Sequence, residues 1–151
     1  MRTRVFNTAG PCRAEFDYML SATSRLPEVL TLIEQQKYFV LHAPRQIGKT
    51  TAIGSLARDL LAEGRYTSAL VSVEVGAAFR HDPAACERAI LADWRKSLRL
   101  KLPADCQPPP FPDAPSGSGI GVALNAWAEA CYRAGRPLVL FLDEIDSLED
   151  E

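Results

Sequence analysis

The chain has 151 residues, a net charge of −2, 47% hydrophobic and 24% charged residues. This length gives room for one domain with one core, and the composition is that of a folded globular protein rather than a disordered one. Lys and Arg are scattered, so bulk charge does not indicate nucleic-acid or membrane attraction. No apolar run approaches the roughly 18 residues of a bilayer span, and no signal peptide is read, so no membrane partner is expected and the expected compartment is the cytoplasm.

Residues 1–26 have little periodicity and read as an irregular lead-in. Pro27 opens a short helix whose apolar face is Val29, Leu30, Leu32 and Ile33. Lys37-Tyr38-Phe39-Val40-Leu41-His42 is a run of β-formers, expected to be a buried strand. After Gly48-Lys49-Thr50 the pattern becomes helical, with Ile53, Leu56, Ala57, Leu60 and Leu61 at helical spacing and Gly64 as the stop. Ser68–Val75 is the next expected strand. Asp82-Pro83 reads as an N-cap followed by proline at the first helical position, and Ile90, Leu91, Trp94 and Leu98 form one face of the helix that follows.

Six prolines fall between 103 and 119. Proline has no amide hydrogen and fixes φ, so this stretch is neither helix interior nor central strand; it reads as a surface connection between two helices. The next helix spans Ser118 to Arg133, with Ile120, Leu124, Trp127, Ala128 and Cys131 on one side and Gly135 closing it. Trp94 and Trp127 read as core anchors. Leu138–Leu142, five continuous apolar residues, is expected to be a strongly buried strand. The four cysteines, at 12, 86, 106 and 131, show no paired spacing and read as reduced thiols. Strand and helix alternate as in an α/β domain with a largely parallel sheet.

Two segments carry chemistry. Ala43-Pro44-Arg45-Gln46-Ile47-Gly48-Lys49-Thr50 fits G-x-x-x-x-G-K-[ST] except at its first position. In such a loop backbone amides wrap anionic oxygens, and the helix that begins at its end adds a positive dipole. Gly48 allows close approach of phosphate, Lys49 supplies a charge to the β/γ-phosphates, and Thr50 offers a hydroxyl to Mg²⁺. Thr51 continues the binding segment. The second is Asp143-Glu144, directly after the apolar strand: a carboxylate placed to hold Mg²⁺ and a neighbour placed to polarise water.

Together these residues resemble the AAA-like P-loop ATPases of prokaryotes, of the AAA+/STAND type and the division with an additional catalytic Glu. The resemblance implies a three-layer α/β/α domain over residues 27–151, binding ATP and Mg²⁺. It makes Lys49 and Thr50 the Walker A pair, Asp143 the Walker B ligand of Mg²⁺, and Glu144 the catalytic base. Adenine would be held by the segment before the first strand, within about residues 10–30. The resemblance also implies a five-strand core in the order 5-1-4-3-2, with the cradle strand as 1 and the Asp-Glu strand as 3, so that strand 4 lies between them. The chain runs eight residues beyond Asp143, so the expectation is a truncated domain with weak activity alone, or one completed by another chain or a second copy. Two alternatives stand beside this: a fragment of a superfamily-2 helicase, because Asp143-Glu144-Ile145-Asp146 is also a D-E-x-D box, and a nucleotide-binding switch.

Overall fold

The computed structural model describes residues 27–42 and 48–149. The lead-in at 1–26, Cys12 and the loop residues Ala43, Pro44, Arg45, Gln46 and Ile47 lie outside the described residues, and so does most of the segment expected to hold adenine. The chain divides into two units, Met1–Leu56 and Ala57–Glu151, and the division falls within a helix.

In the first unit, helix α1 spans Pro27–Glu34 and buries Val29 and Ile33. It ends in a Schellman turn: the Lys37 amide donates to Leu32 O and the Gln36 amide to Ile33 O, with Gln36 in the left-handed region at φ 55°. The following residues correct an expectation. Lys37–His42 forms no strand among the described residues, and Tyr38 and Val40 are 105% and 79% exposed. A β-forming sequence becomes a strand only when a neighbour supplies the ladder, and none of the described residues does so here. Helix α2, Lys49–Glu63, crosses into the second unit. Its expected apolar stripe is real, with Ile53, Leu56, Ala57 and Leu60 all buried.

The second unit is built on strand β1, Thr67–Ser72, and strand β2, Leu138–Asp143. They pair in parallel, from Thr67 opposite Leu138 to Ser72 opposite Asp143. Between them run helix α3, Pro83–Lys101, and helix α4, Gly119–Arg133. One core joins these elements: Ala69 and Val71 from β1 and Val73 just after it, Ile90, Trp94 and Leu98 from α3, and Trp127 and Cys131 from α4, with Leu138 and Leu140 of β2 packed against it. Both tryptophans are fully buried, and each indole N–H finds a carbonyl: Trp94 Nε1 donates to Ser72 O at 2.8 Å and Trp127 Nε1 to Cys106 O at 3.3 Å.

The two strands differ from expectation in opposite ways. β1 stops at Ser72, and Glu74–Phe79 forms a 3₁₀ helix instead of continuing the strand. β2 has the expected position but is not strongly buried: Phe141 and Asp143 are buried, the others are partly covered, and Leu142 is 38% exposed. The edges explain the contrast. Because the Thr67 amide donates to Pro137 O and the Val73 amide to Asp143 O, the odd residues of β1 face β2 and Leu70 and Ser72 face outward. Helix α3 covers that outer edge, since Lys101 Nζ donates to Leu70 O at 3.3 Å and Trp94 Nε1 to Ser72 O. The other edge of β2 takes no hydrogen bond among the described residues.

The proline-rich connection is held at both ends. Its first part makes a 3₁₀ turn, Ala104–Cys106, and Cys106 is buried. Arg136 Nη1 donates to Asp105 Oδ2 at 3.1 Å and to Cys106 Sγ at 3.4 Å. At the far end the Glu87 carboxylate of α3 accepts from the amides of Gly117, at 2.9 Å, and Ile120, at 3.3 Å. A carboxylate from another helix thereby satisfies amides at the start of α4 and meets its positive dipole end. Helix α4 closes in a second Schellman turn, where Gly135 adopts φ 73° and the Arg136 amide donates to Cys131 O at 3.0 Å. Burial pushes the Cys131 thiol up from its ordinary value, against a hydrogen bond with Thr67 that lowers it; the nearby Cys106 raises it further. No described helix is long and apolar enough to cross a membrane.

Helix α3 begins as its sequence demands: Asp82 Oδ1 accepts from the Ala85 amide at 3.0 Å, with Pro83 in the first turn. Asp82→Ala is expected to lower the stability of the second unit by about 1 kcal/mol, read from the urea unfolding midpoint at unchanged slope.

Candidate nucleotide site

Gly48, Lys49, Thr50 and Thr51 stand together at the start of α2. Gly48 has φ 80°, a left-handed conformation that a Cβ disfavours, and its carbonyl accepts the first helical bond from the Ala52 amide at 2.9 Å. Lys49 is the first residue of the 15-residue helix that follows. No acidic residue occupies its first turn. The N-terminal amides and the dipole are therefore not countered by a carboxylate from within the turn, which favours an anion there. Lys49 and Thr51 are half-buried, and Thr50 is exposed.

Asp143 and Glu144 stand together at the carboxyl end of β2. Asp143 is 8% exposed, and its position is set twice. Its carbonyl accepts from the Val73 amide at 3.2 Å, and its Oδ1 accepts from the Glu144 amide at 3.1 Å. Glu144 is exposed and left-handed, with φ 64° and ψ 30°, and the chain turns there into a 3₁₀ helix, Ile145–Leu148. Asp146 and Glu149 are exposed.

Among the described residues no group of three or more His, Cys, Asp or Glu side chains gathers to hold a metal. The Thr50 hydroxyl in the first unit and the Asp143 carboxylate in the second are each hard oxygens, the donor type that Mg²⁺ prefers.

Two supports of this site are not apparent from its motifs. The left-handed backbone of Glu144 has no local sequence signal, because carboxylate residues at strand ends are ordinarily extended. The tie from Trp94 to Ser72 depends on which carbonyls of β1 face outward, which follows from pairing alone. A tryptophan at a helical core position announces only that its N–H needs an acceptor. Comparison with known proteins returns no match: no family model, no curated protein and no solved structure matches the chain.

A left-handed non-glycine residue costs about 1–2 kcal/mol, while glycine carries an entropic cost of roughly 0.5–1 kcal/mol. Glu144→Gly is therefore expected to leave stability unchanged or raise it by up to about 1 kcal/mol in chemical denaturation, although it deletes a side chain. A clear loss of stability would show that the Glu144 side chain serves the fold.

Proposed function

We propose that this chain binds ATP with Mg²⁺ and carries the groups for its hydrolysis, as a P-loop ATPase of the AAA-like type. The observation that carries the reading is the start of α2: a left-handed Gly48, then Lys49 and Thr50 opening a helix with no acid in its first turn. These are the local features that the Gly-Lys-Thr motif requires for phosphate. The parallel pairing of β1 with β2 adds support, because it is the neighbour relation that the family resemblance implies for the Asp-Glu strand.

In this reading the Lys49 ammonium binds the β/γ-phosphates, and the amides at the start of α2 bind phosphate oxygens. Thr50 and Asp143 would hold Mg²⁺, which when bound neutralises charge on the phosphates. Glu144 takes a proton from a water molecule as its oxygen attacks the γ-phosphorus; the bond to the bridging oxygen breaks, giving ADP and phosphate. The bond from the Glu144 amide to Asp143 Oδ1 fixes the Asp143 carboxylate relative to the Glu144 backbone.

Lys49→Ala removes a charge-assisted contact worth about 1.5–3 kcal/mol, so ATP affinity is expected to fall roughly ten- to hundredfold in calorimetric titration. Glu144→Gln is expected to retain that affinity and to slow any phosphate release. Equal ATP affinity in Lys49→Ala and the wild type would overturn the reading.

A further inference from the structure

We infer that Trp94 is a positioning residue for Asp143, acting through the carboxyl end of β1. The inference rests on the reading above for what Asp143 does, but its geometry lies wholly within the second unit.

The sequence of contacts is continuous. Trp94 is fully buried, and its indole N–H donates to Ser72 O at 2.8 Å. Ser72 is the last residue of β1 and lies opposite Asp143 in the pairing. The next residue, Val73, gives its amide to Asp143 O at 3.2 Å, and Asp143 Oδ1 in turn holds the Glu144 amide. The parity of a parallel ladder explains why this acceptor matters. Ser72 O points away from β2, so the ladder leaves it without a partner, and a carbonyl at a strand end that turns to water allows the end to fray. A side-chain donor from α3 prevents that. Of the two outer carbonyls that α3 covers, Leu70 O is met by an exposed lysine and Ser72 O by a buried indole whose ring cannot leave the core. The Ser72 hydroxyl adds a second tie by accepting from the Glu74 amide at 3.1 Å.

Volume alone does not account for Trp94, since phenylalanine would also place an aromatic ring in this core. What tryptophan adds is the N–H, directed at the strand end that backs the carboxylate. The proposal therefore distinguishes the ring, which serves stability, from the N–H, which serves the placement of Asp143 and Glu144.

The test compares the wild type with Trp94→Phe in two measurements. The first is amide hydrogen exchange. The proposal expects exchange at Val73 and Glu144 to quicken about two- to tenfold, the factor for one lost hydrogen bond, while amides of α4 keep their protection. The second is ATP binding titrated with Mg²⁺. The Mg²⁺ concentration for half-maximal binding should rise by a similar factor, while ATP affinity without Mg²⁺ is unchanged. Uniform loss of protection across the unit, or equal weakening of ATP binding with and without Mg²⁺, would mean a merely structural role and overturn the proposal. So would no change in either measurement. If the wild type binds no ATP, the functional reading fails by itself, and the exchange pattern alone decides whether Trp94 holds Asp143. Should Trp94→Phe not fold, replacing Trp94 by benzothienylalanine, which keeps the bicyclic ring and lacks the N–H, is expected to shift both measurements in the same direction, and no shift would overturn the proposal.

Discussion

The parallel pairing of β1 with β2 is the constraint on which the second unit depends. Parallel strands need a long crossover, and here it is made of α3, the proline-rich connection and α4. That crossover buries one face of the pair with Trp94 and Trp127, and each tryptophan settles its N–H on a backbone carbonyl at a point where the chain must be fixed. One indole holds the end of β1 and the other holds the buried turn at Cys106. The pairing also decides which carbonyls face outward, and so which of them the side chains of α3 can reach. Asp143 and Glu144 inherit their placement from this arrangement, since the backbone of Asp143 is the last rung of the ladder.

Most of the elements of this unit are legible in the sequence. The Asp82-Pro83 start of α3, the helical spacing of Ile90, Trp94 and Leu98, and the Gly135 stop of α4 all depend on local rules, and all are found. Long-range conditions are less visible. Lys37–His42 has the composition of a strand, but composition cannot supply a neighbour, and its even-numbered side chains are left uncovered. Likewise Leu138–Leu142 is apolar throughout, as in a strand covered on both sides, while among the described residues it pairs with β1 alone and stays partly exposed. The carboxylate that meets the start of α4 is Glu87, thirty residues before Gly117. Its role depends on how α3 packs, and no spacing rule leads to it.

The candidate site divides in the same way. Gly48, Lys49 and Thr50 form a local motif, and the left-handed glycine and immediate helix start are local consequences of it. Asp143 is legible as an acid after an apolar run. The left-handed turn at Glu144 is not, because the chain bends there to enter the Ile145–Leu148 helix, whose Leu148 packs against the core and whose Ser147 carbonyl accepts from Arg80. Strain of this kind persists where surrounding contacts over-determine the backbone.

The central property proposed for this chain is recognition of a nucleoside triphosphate through its phosphates and a divalent cation. Isothermal titration of the wild-type protein with ATP, with and without Mg²⁺, and with AMP in place of ATP, tests this. Expected are saturable binding of ATP that tightens with Mg²⁺, and much weaker binding of AMP, which lacks the β- and γ-phosphates that Lys49 would meet. Equal binding of ATP and AMP, or no binding of either, would contradict it.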